Sequence, residues 1–235
     1  MNRTVDVITS WTASALRLTN GLFVGALGKR PEKRLELYEF EGCPYCRLVR
    51  DALSSLDLEA VVHPCPKGGT RFRPEVVRRG GKAQFPYLID PNTGREMYES
   101  MEIVEYLYRE YGNGKMPTSV RLSPLNRASS MLASGARLPG GGGGNKAVPS
   151  RAPEKPLELW SFEASPYCRI AREALCQLEL PYVLHNVAKN SPSRPKMVER
   201  AGRVMVPYLA DPNTGKEMFE SADIVRYLNE TYGVR

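Results

Sequence analysis

Hydrophobic and polar side chains alternate over residues 35–40, and this pattern predicts a β-strand with one buried face. From residue 44 to residue 56 the apolar positions instead recur every three to four residues, which predicts an amphipathic helix. The pattern then predicts a second strand over 59–63, a short helix near 73–79, and two further strands over 87–89 and 96–98.

The turn sequence Asp-Pro-Asn-Thr-Gly at 90–94 makes the last two strands a hairpin. We expect Ser100 to cap a final helix that ends before Gly112. The resulting order is strand–helix–strand–helix–strand–strand–helix, so the predicted fold class is α/β.

This whole pattern occurs twice. Residues 35–63 return at 157–185 with 16 of 29 positions identical, and residues 86–112 return at 207–233 with 18 of 27 identical. A repeat of this length is a domain rather than a solenoid unit. We therefore predict two tandem domains, copy 1 (residues 35–112) and copy 2 (residues 157–235).

Each copy follows a segment with apolar residues at helical spacing. Residues 1–34 carry Ile8, Trp11, Ala15, Leu18 and Leu22, and a similar stretch runs from Leu125 to Leu138. We expect each of these lead-ins to pack on the domain that follows it. The rest of the 113–156 linker contains five consecutive glycines, Gly140–Gly144, which predict flexible coil.

Composition indicates a globular protein of a reducing compartment. The chain has 42% hydrophobic residues and five cysteines, an odd number that does not suggest a disulfide framework. No apolar run approaches the roughly 20 residues that cross a bilayer, so no membrane association is expected. The net charge of +7 lacks interleaved aromatic residues, so no nucleic-acid partner is expected. We expect a cytoplasmic location, and organelle targeting by the basic residues 1–30 stays open.

The strongest chemical signal is the sequence Cys43-Pro44-Tyr45-Cys46 at a strand-to-helix junction. We expect Cys43 at the helix N-cap, where the free N–H groups and the helix dipole favour a thiolate. Cys46 lies one turn further and should face inward. Arg47 adds a positive charge, while Glu39 and Glu41 oppose the thiolate and are expected to be solvated and screened.

Two other interpretations of these cysteines stay open. Both could be inert core residues, or Cys43 and Cys46 could bind a metal with His63 and Cys65. The metal interpretation is less favoured because His63 recurs as His185, where the matching sulfurs are absent. We expect no metal, and we take Cys65 and Cys176 as bystanders.

The motif resembles the active site of glutaredoxins, and the residues that follow are similar to the N-terminal domain of glutathione transferases. This resemblance implies a thioredoxin fold with βαβαββα order in each copy and glutathione as co-substrate. It also implies that Phe85 and cis-Pro86 contact the cysteinyl part of glutathione, and that Glu99 and Ser100 bind its γ-glutamyl end. Tyr45 is a further implied binding residue, and the resemblance implies that Arg47 or Lys82 binds the glycyl carboxylate.

The chain departs from both families. Phe40 stands where glutaredoxins usually carry a lysine, and Glu99-Ser100 stands where they carry a Gly-Gly turn. Transferases usually continue into an all-helical domain, and here a second thioredoxin-like copy occupies its place. The arrangement resembles proteins with tandem transferase N-terminal domains.

In copy 2 the motif reads Ser165-Pro166-Tyr167-Cys168, so a serine replaces the leading cysteine. The remaining binding residues recur as Val206-Pro207 and Glu220-Ser221. Copy 2 is therefore either a decayed site kept for packing or a glutathione site whose Ser165 hydroxyl donates to the thiolate. Cys168 should be buried and unreactive.

We predict a glutathione-dependent thiol–disulfide oxidoreductase whose substrates are glutathionylated or disulfide-bonded proteins, with Cys43 as nucleophile and Cys46 as resolving thiol. The alternatives are a non-catalytic glutathione-binding or partner-docking module and a transferase-like activity. A glutathione-ligated iron–sulfur cluster is a further, less favoured alternative.

Overall fold

The computed structural model describes residues 3–17, 20–25, 27–121, 123–138 and 143–234. Copy 1 follows the predicted order closely. Its elements are β1 (Leu35–Glu39), α2 (Pro44–Ser55), β2 (Ala60–Pro64), α3 (Arg73–Gly80), β3 (Tyr87–Asp90), β4 (Arg95–Met97) and α4 (Ser100–Tyr111). One detail differs, because Glu99 occupies the N-cap of α4 and Ser100 is the first helical residue.

Copy 2 repeats these elements. They are β5 (Leu157–Ser161), α7 (Pro166–Gln177), β6 (Tyr182–Asn186), α8 (Arg194–Ala201), β7 (Tyr208–Asp211), β8 (Lys216–Phe219) and α9 (Ser221–Tyr232). In both copies the βαβαββα order is confirmed, and each copy has a thioredoxin-like fold. The rest of the described chain holds α1 (Arg3–Leu16), α5 (Thr118–Arg121) and α6 (Ser123–Gly135), which form no separate all-helical domain.

The two copies share one sheet of eight strands in the order β4-β3-β1-β2-β6-β5-β7-β8. Within each copy the first two strands are parallel, the third is antiparallel to the first, and the fourth is antiparallel to the third. The join is the antiparallel pair β2–β6, with Val61 opposite Val183. Each copy thereby covers the β-strand edge that the other would otherwise expose.

The lead-in helices exchange places. Helix α1, which precedes copy 1, packs on α7 of copy 2, and α6, which precedes copy 2, packs on α2 of copy 1. The two helices also pack against each other. The expectation that each lead-in packs on its own domain is therefore wrong. The apolar residues of each lead-in helix do predict packing on a domain, but they do not specify which of the two similar copies the helix covers. Leu18, assigned to the first stripe, lies outside the described residues.

After each lead-in helix, a short extended segment continues the exchange. Strap 1 (residues 20–25) bonds to Lys189 of copy 2, where the Val24 N–H donates to the Lys189 carbonyl at 2.8 Å. Strap 2 (residues 143–147) bonds to Lys67 of copy 1, whose N–H donates to the Asn145 carbonyl at 2.7 Å.

Strap 2 contains the end of the glycine run. Gly143 and Gly144 are buried, and modelling a Cβ on Gly144 places it 3.2 Å from the Cys176 Cβ. Flexible coil is therefore wrong for these two glycines, because copy 1 and α7 enclose them. Gly140–Gly142 lie outside the described residues. In the described part of the chain, no helix has the length and apolar character needed to span a membrane.

Candidate active site

The structure places Cys43 at the N-cap of α2 with extended backbone and Pro44 in the first turn. The backbone N–H of Cys46 donates to the Cys43 Sγ at 3.2 Å. Cys43 is nearly buried, with 3% of its surface exposed, whereas the neighbouring Tyr45 is 41% exposed. The sulfur thus lies in the capping position that the sequence predicts, just beneath the surface.

Hydrogen bonds control the acidity of this thiol. Bonding from Cys46, through its thiol and then its backbone N–H, lowers the pKa of Cys43 below its ordinary value. Burial and the nearby Glu39 oppose this shift without reversing it. The pKa of Cys46 is raised well above its ordinary value, because the side chain is completely buried and lies next to Cys43. One thiol is therefore disposed to ionise and the other to hold its proton.

The other cysteines do not join this pair. Cys65, Cys168 and Cys176 are buried, and all five cysteines are free. Burial raises the pKa of Cys65 and of Cys176. Among the described residues, no group of three or more His, Cys, Asp or Glu side chains has metal-binding geometry.

The acidic residues beside the motif are buried, so the expectation that Glu39 and Glu41 are solvated is wrong. Each is 1% exposed. Glu39 forms an ion pair with Arg50, and Glu41 accepts two 3.0 Å hydrogen bonds from Arg172 of copy 2. Arg50 of copy 1 supplies the countercharge of Glu39, whereas Arg172 of copy 2 supplies that of Glu41 and is not visible in the local sequence of copy 1.

Arg47 also has a different role from the one the family resemblance implies. It is completely buried, its Nε lies 3.4 Å from the Glu163 carboxylate, and its Nη1 donates to the Ser130 carbonyl at 3.4 Å. Burial lowers its pKa. The side chain therefore points into the contact between the copies, away from any glycyl carboxylate in a surface groove.

Of the remaining implied glutathione residues of copy 1, Lys82 and Glu99 are exposed, Phe85 is half-buried, and Pro86 and Ser100 are buried. Phe85-Pro86 is a cis peptide, and the Phe85 ring packs edge-on against Phe40 at 6.2 Å between centroids. Glu99 has φ of 64°, a conformation that non-glycine residues rarely adopt, and its carboxylate accepts from Gln84 at 2.5 Å. Lys82 is exposed, with its Nζ 4.8 Å from the centre of the Tyr98 ring.

Copy 2 keeps the same geometry around an oxygen. Ser165 caps α7, and the Cys168 N–H donates to its Oγ at 3.3 Å. Val206-Pro207 is again cis, Glu220 again has φ of 64°, and Ser221 again begins the last helix. Tyr167 is 40% exposed, like its counterpart Tyr45, and packs edge-on against Trp11.

The exchanged helices reach both motifs, a feature that sequence reasoning missed. Ser130 of α6 donates from its hydroxyl to the Pro44 carbonyl at 2.7 Å, and Ser10 of α1 does the same to Pro166 at 2.7 Å. The lead-in of each copy therefore contacts the first turn of the other copy's motif helix.

A buried charge cluster joins the two motif helices beneath these contacts. Its members, which we call the interface cluster, are Glu39, Glu41, Glu163, Arg47, Arg50, Arg169 and Arg172. Glu163 is the centre, with its carboxylate 2.9 Å from Arg50, 2.7 Å from Arg172 and 3.4 Å from Arg47. Two further ion pairs flank the interface cluster: Arg17 with Asp51, and Arg137 with Glu173.

The interface cluster had a signal in the sequence. Arginines occur three residues apart in both motif helices, at positions 47 and 50 and again at positions 169 and 172. Repetition of a charge pair at inward-facing positions indicates a buried partner set.

The family model of the glutathione S-transferase N-terminal domain matches residues 37–115 and again residues 159–235. The chain belongs to this family. The two matches fall on copy 1 and copy 2, so the family accounts for the repeat.

Two solved structures are similar. A glutathione transferase of Bombyx mori is 26% identical over 36% of this chain and 39% of its own, with a TM-score of 0.33. A trimeric glutathione transferase of Leishmania is 16% identical over 84% of this chain and 68% of its own, with a TM-score of 0.29. The chain thus spans well under half of the Bombyx mori protein. No curated protein matches it.

Proposed function

We propose that the protein is a glutathione-dependent thiol–disulfide oxidoreductase in which copy 1 is the reactive site. The observation that carries this proposal is the Cys43 sulfur at the N-cap of α2, bonded to the Cys46 N–H at 3.2 Å and lowered in pKa. Its family membership supports glutathione as the thiol co-substrate.

The proposed reaction has two sulfur exchanges. The Cys43 thiolate attacks a disulfide between glutathione and a protein, the protein thiol leaves, and Cys43 becomes bound to glutathione. A second glutathione then attacks the sulfur of the bound glutathione, which forms glutathione disulfide and releases the Cys43 thiolate. Alternatively, the Cys46 thiol attacks the Cys43 sulfur, which forms the Cys43–Cys46 disulfide and releases the bound glutathione. Glutathionylated and disulfide-bonded proteins are the proposed substrates, in a reducing compartment such as the cytoplasm.

The residues around the motif have proposed roles in this reaction. Backbone beside Pro86 bonds the cysteinyl part of glutathione, and the first N–H groups of α4 with Ser100 hold its γ-glutamyl carboxylate. Glu99 pairs with the ammonium group after releasing Gln84. Lys82 meets the glycyl carboxylate, because Arg47 is fully buried.

The test is reduction of a small mixed disulfide by glutathione, compared between wild type, Cys43→Ser and Cys46→Ser. Cys43→Ser should lower the rate by at least about 100-fold, because a hydroxyl cannot form the mixed disulfide. Cys168→Ser is the matched control, since Cys168 is the equally buried counterpart of Cys46 in copy 2. Equal rates in wild type and Cys43→Ser would refute the oxidoreductase and leave a binding module.

A second function is favoured by copy 2. Its cap, cis-proline and Glu220-Ser221 pair are kept without a leading thiol. We propose that copy 2 binds glutathione through the Ser165 hydroxyl, either as a non-catalytic module or with transferase-like activity. If copy 2 has transferase-like activity, the rate of conjugation of glutathione to an aromatic electrophile should fall in Ser165→Ala and not in Cys43→Ser. If both variants bind glutathione as tightly as wild type, this assignment is wrong.

A further inference from the structure

Glu39 differs from the rest of the interface cluster in where it lies. It ends β1, and the alternation of strand side chains puts it on the same face as Leu35 and Leu37, both completely buried. This face lies under α2, because Glu39 pairs with Arg50 of that helix. Cys46 stands one helical turn before Arg50 on the same side of α2 and is completely buried. The carboxyl therefore lies beneath the dithiol, shielded from water.

The second copy shows what the position looks like without a dithiol. Ser161 occupies the place of Glu39, and Arg172, the counterpart of Arg50, donates to the Ser161 Oγ at 3.0 Å. The neighbouring acid is kept in both copies, as Glu41 and Glu163. A carboxyl on this face thus accompanies Cys43, and a hydroxyl accompanies Ser165. Packing alone explains an arginine partner at this position, but it does not explain why the acid occurs beside the thiols.

Resting on the proposed function, we infer that Glu39 takes up the proton of Cys46 when that thiol attacks the mixed disulfide at Cys43. In this step a bond forms between the two cysteine sulfurs and the bond from Cys43 to glutathione breaks. The proton moves from Cys46 to the Glu39 carboxylate, and the departing glutathione thiolate takes up a proton in its place. The step requires no further oxidant or reductant, because one thiol and one disulfide are present before and after it.

The surroundings of Glu39 allow its proton to come and go. Arg50 contacts Glu41 at 3.4 Å and Glu163 at 2.9 Å as well as Glu39, so it keeps partners when Glu39 is protonated. Burial raises the pKa of Glu39 to about 7, because Arg50 only partly offsets the cost of a buried charge. The charged and titratable groups that act on Glu39 or respond to it are Cys43, Cys46, Cys65, Arg50, Glu41, Glu163, Arg172, Cys176 and Tyr182.

A single-turnover experiment separates the two sulfur exchanges. Reduced protein is mixed with a glutathionylated peptide without free glutathione, acid-quenched at intervals and resolved by mass. Release of peptide thiol reports attack by Cys43, and release of glutathione reports attack by Cys46. In Glu39→Gln, glutathione release should slow by at least about tenfold while peptide release changes by less than about threefold.

The pH profile distinguishes proton uptake from simple repulsion. In wild type the glutathione-release rate should rise through about pH 7 as Glu39 ionises, and Glu39→Gln should lose this inflection. If Glu39 only repels the Cys46 thiolate, its removal would instead make glutathione release faster. Glu41→Gln is the matched control, because it removes a carboxylate of the same cluster that does not lie on the β1 face under Cys46, and it should retain the inflection.

The outcomes separate this inference from the function on which it rests. Absence of peptide release in wild type would refute the oxidoreductase itself. Peptide release with unchanged or faster glutathione release in Glu39→Gln would refute the role of Glu39 alone. Equal slowing in Glu39→Gln and Glu41→Gln would also refute it, because the effect would then come from loss of the cluster. A denaturation midpoint measured for each variant identifies that case.

Discussion

The two copies have the same order of elements, and two of the positions at which they differ lie in and just before the motif. Copy 1 has the Cys43 sulfur at the helix cap and a carboxyl at Glu39, whereas copy 2 has the Ser165 oxygen and the hydroxyl of Ser161. Both caps accept a hydrogen bond from the N–H three residues further along, and both copies contain a cis-proline. The comparison teaches that the fold prepares the position in both copies, while the chemistry depends on what occupies it.

Exchanging the capping atoms is the strongest way to test this comparison. Ser165→Cys in a Cys43→Ser background should restore a thiol whose pKa lies below its ordinary value, because the Cys168 N–H already points at the cap. The rate of alkylation by iodoacetamide as a function of pH measures that pKa. The single variant Cys43→Ser gives the background rate. An introduced thiol that titrates at the ordinary value or above would show that the two caps are not equivalent.

The interface cluster offers the next largest effect, because its acids are unequal. Glu163 lies within 4.0 Å of four arginines, whereas its counterpart Glu41 pairs with Arg50 and Arg172. Glu163→Gln should lower the free energy of unfolding by about 3–5 kcal/mol, since it leaves buried cations without a partner. Glu41→Gln should cost less.

Chemical denaturation of both variants at neutral pH measures the difference. An equal or smaller loss in Glu163→Gln would mean that the cluster is held by Glu39 and Glu41 instead. The cluster would then centre on copy 1.

Local features of this chain could be predicted from its sequence, and long-range features could not. The capped helix at Cys43, the hairpin around 90–94 and the seven-element order follow from periodicity, a proline and turn residues close together in the chain. The buried state of Glu41 depends on Arg172 of copy 2, more than 130 residues away. Similarly, the exchange of α1 and α6 could not be predicted, since two similar copies present two similar surfaces to each apolar stripe.

The pH dependence of stability should show opposite contributions from Glu39 and Glu163. The arginines hold the pKa of Glu163 well below its ordinary 4.5 against the cost of burial, so its stabilisation is lost as pH falls below that value. The pKa of Glu39 is raised to about 7, so the folded state holds more protons than the unfolded state from about pH 4.5 to 7. Its contribution to stability therefore falls as pH rises through that range.

As pH rises from 4.5 to 7, Glu39→Gln should lose less stability than wild type. As pH falls below 4.5, Glu163→Gln should lose less stability than wild type. Denaturation curves at intervals of pH measure both slopes. Glu39→Gln curves parallel to wild type between pH 4.5 and 7 would show that Glu39 remains ionised throughout. That result would also mean that the fraction of Glu39 in the ionised form does not change with pH near neutrality.

The smallest expected effect tests the exchange of the lead-in helices. The Ser130 hydroxyl of α6 donates to Pro44 of copy 1, and the Ser10 hydroxyl of α1 donates to Pro166 of copy 2. Ser130→Ala and Ser10→Ala should each cost about 1 kcal/mol of stability, the typical contribution of one hydrogen bond. Only Ser130→Ala should alter the alkylation rate of Cys43, although Ser130 precedes copy 2 in the chain. A change in Cys43 reactivity from Ser10→Ala instead would mean that each helix packs on its own copy in solution, because the hydroxyl would then reach the first turn of α2.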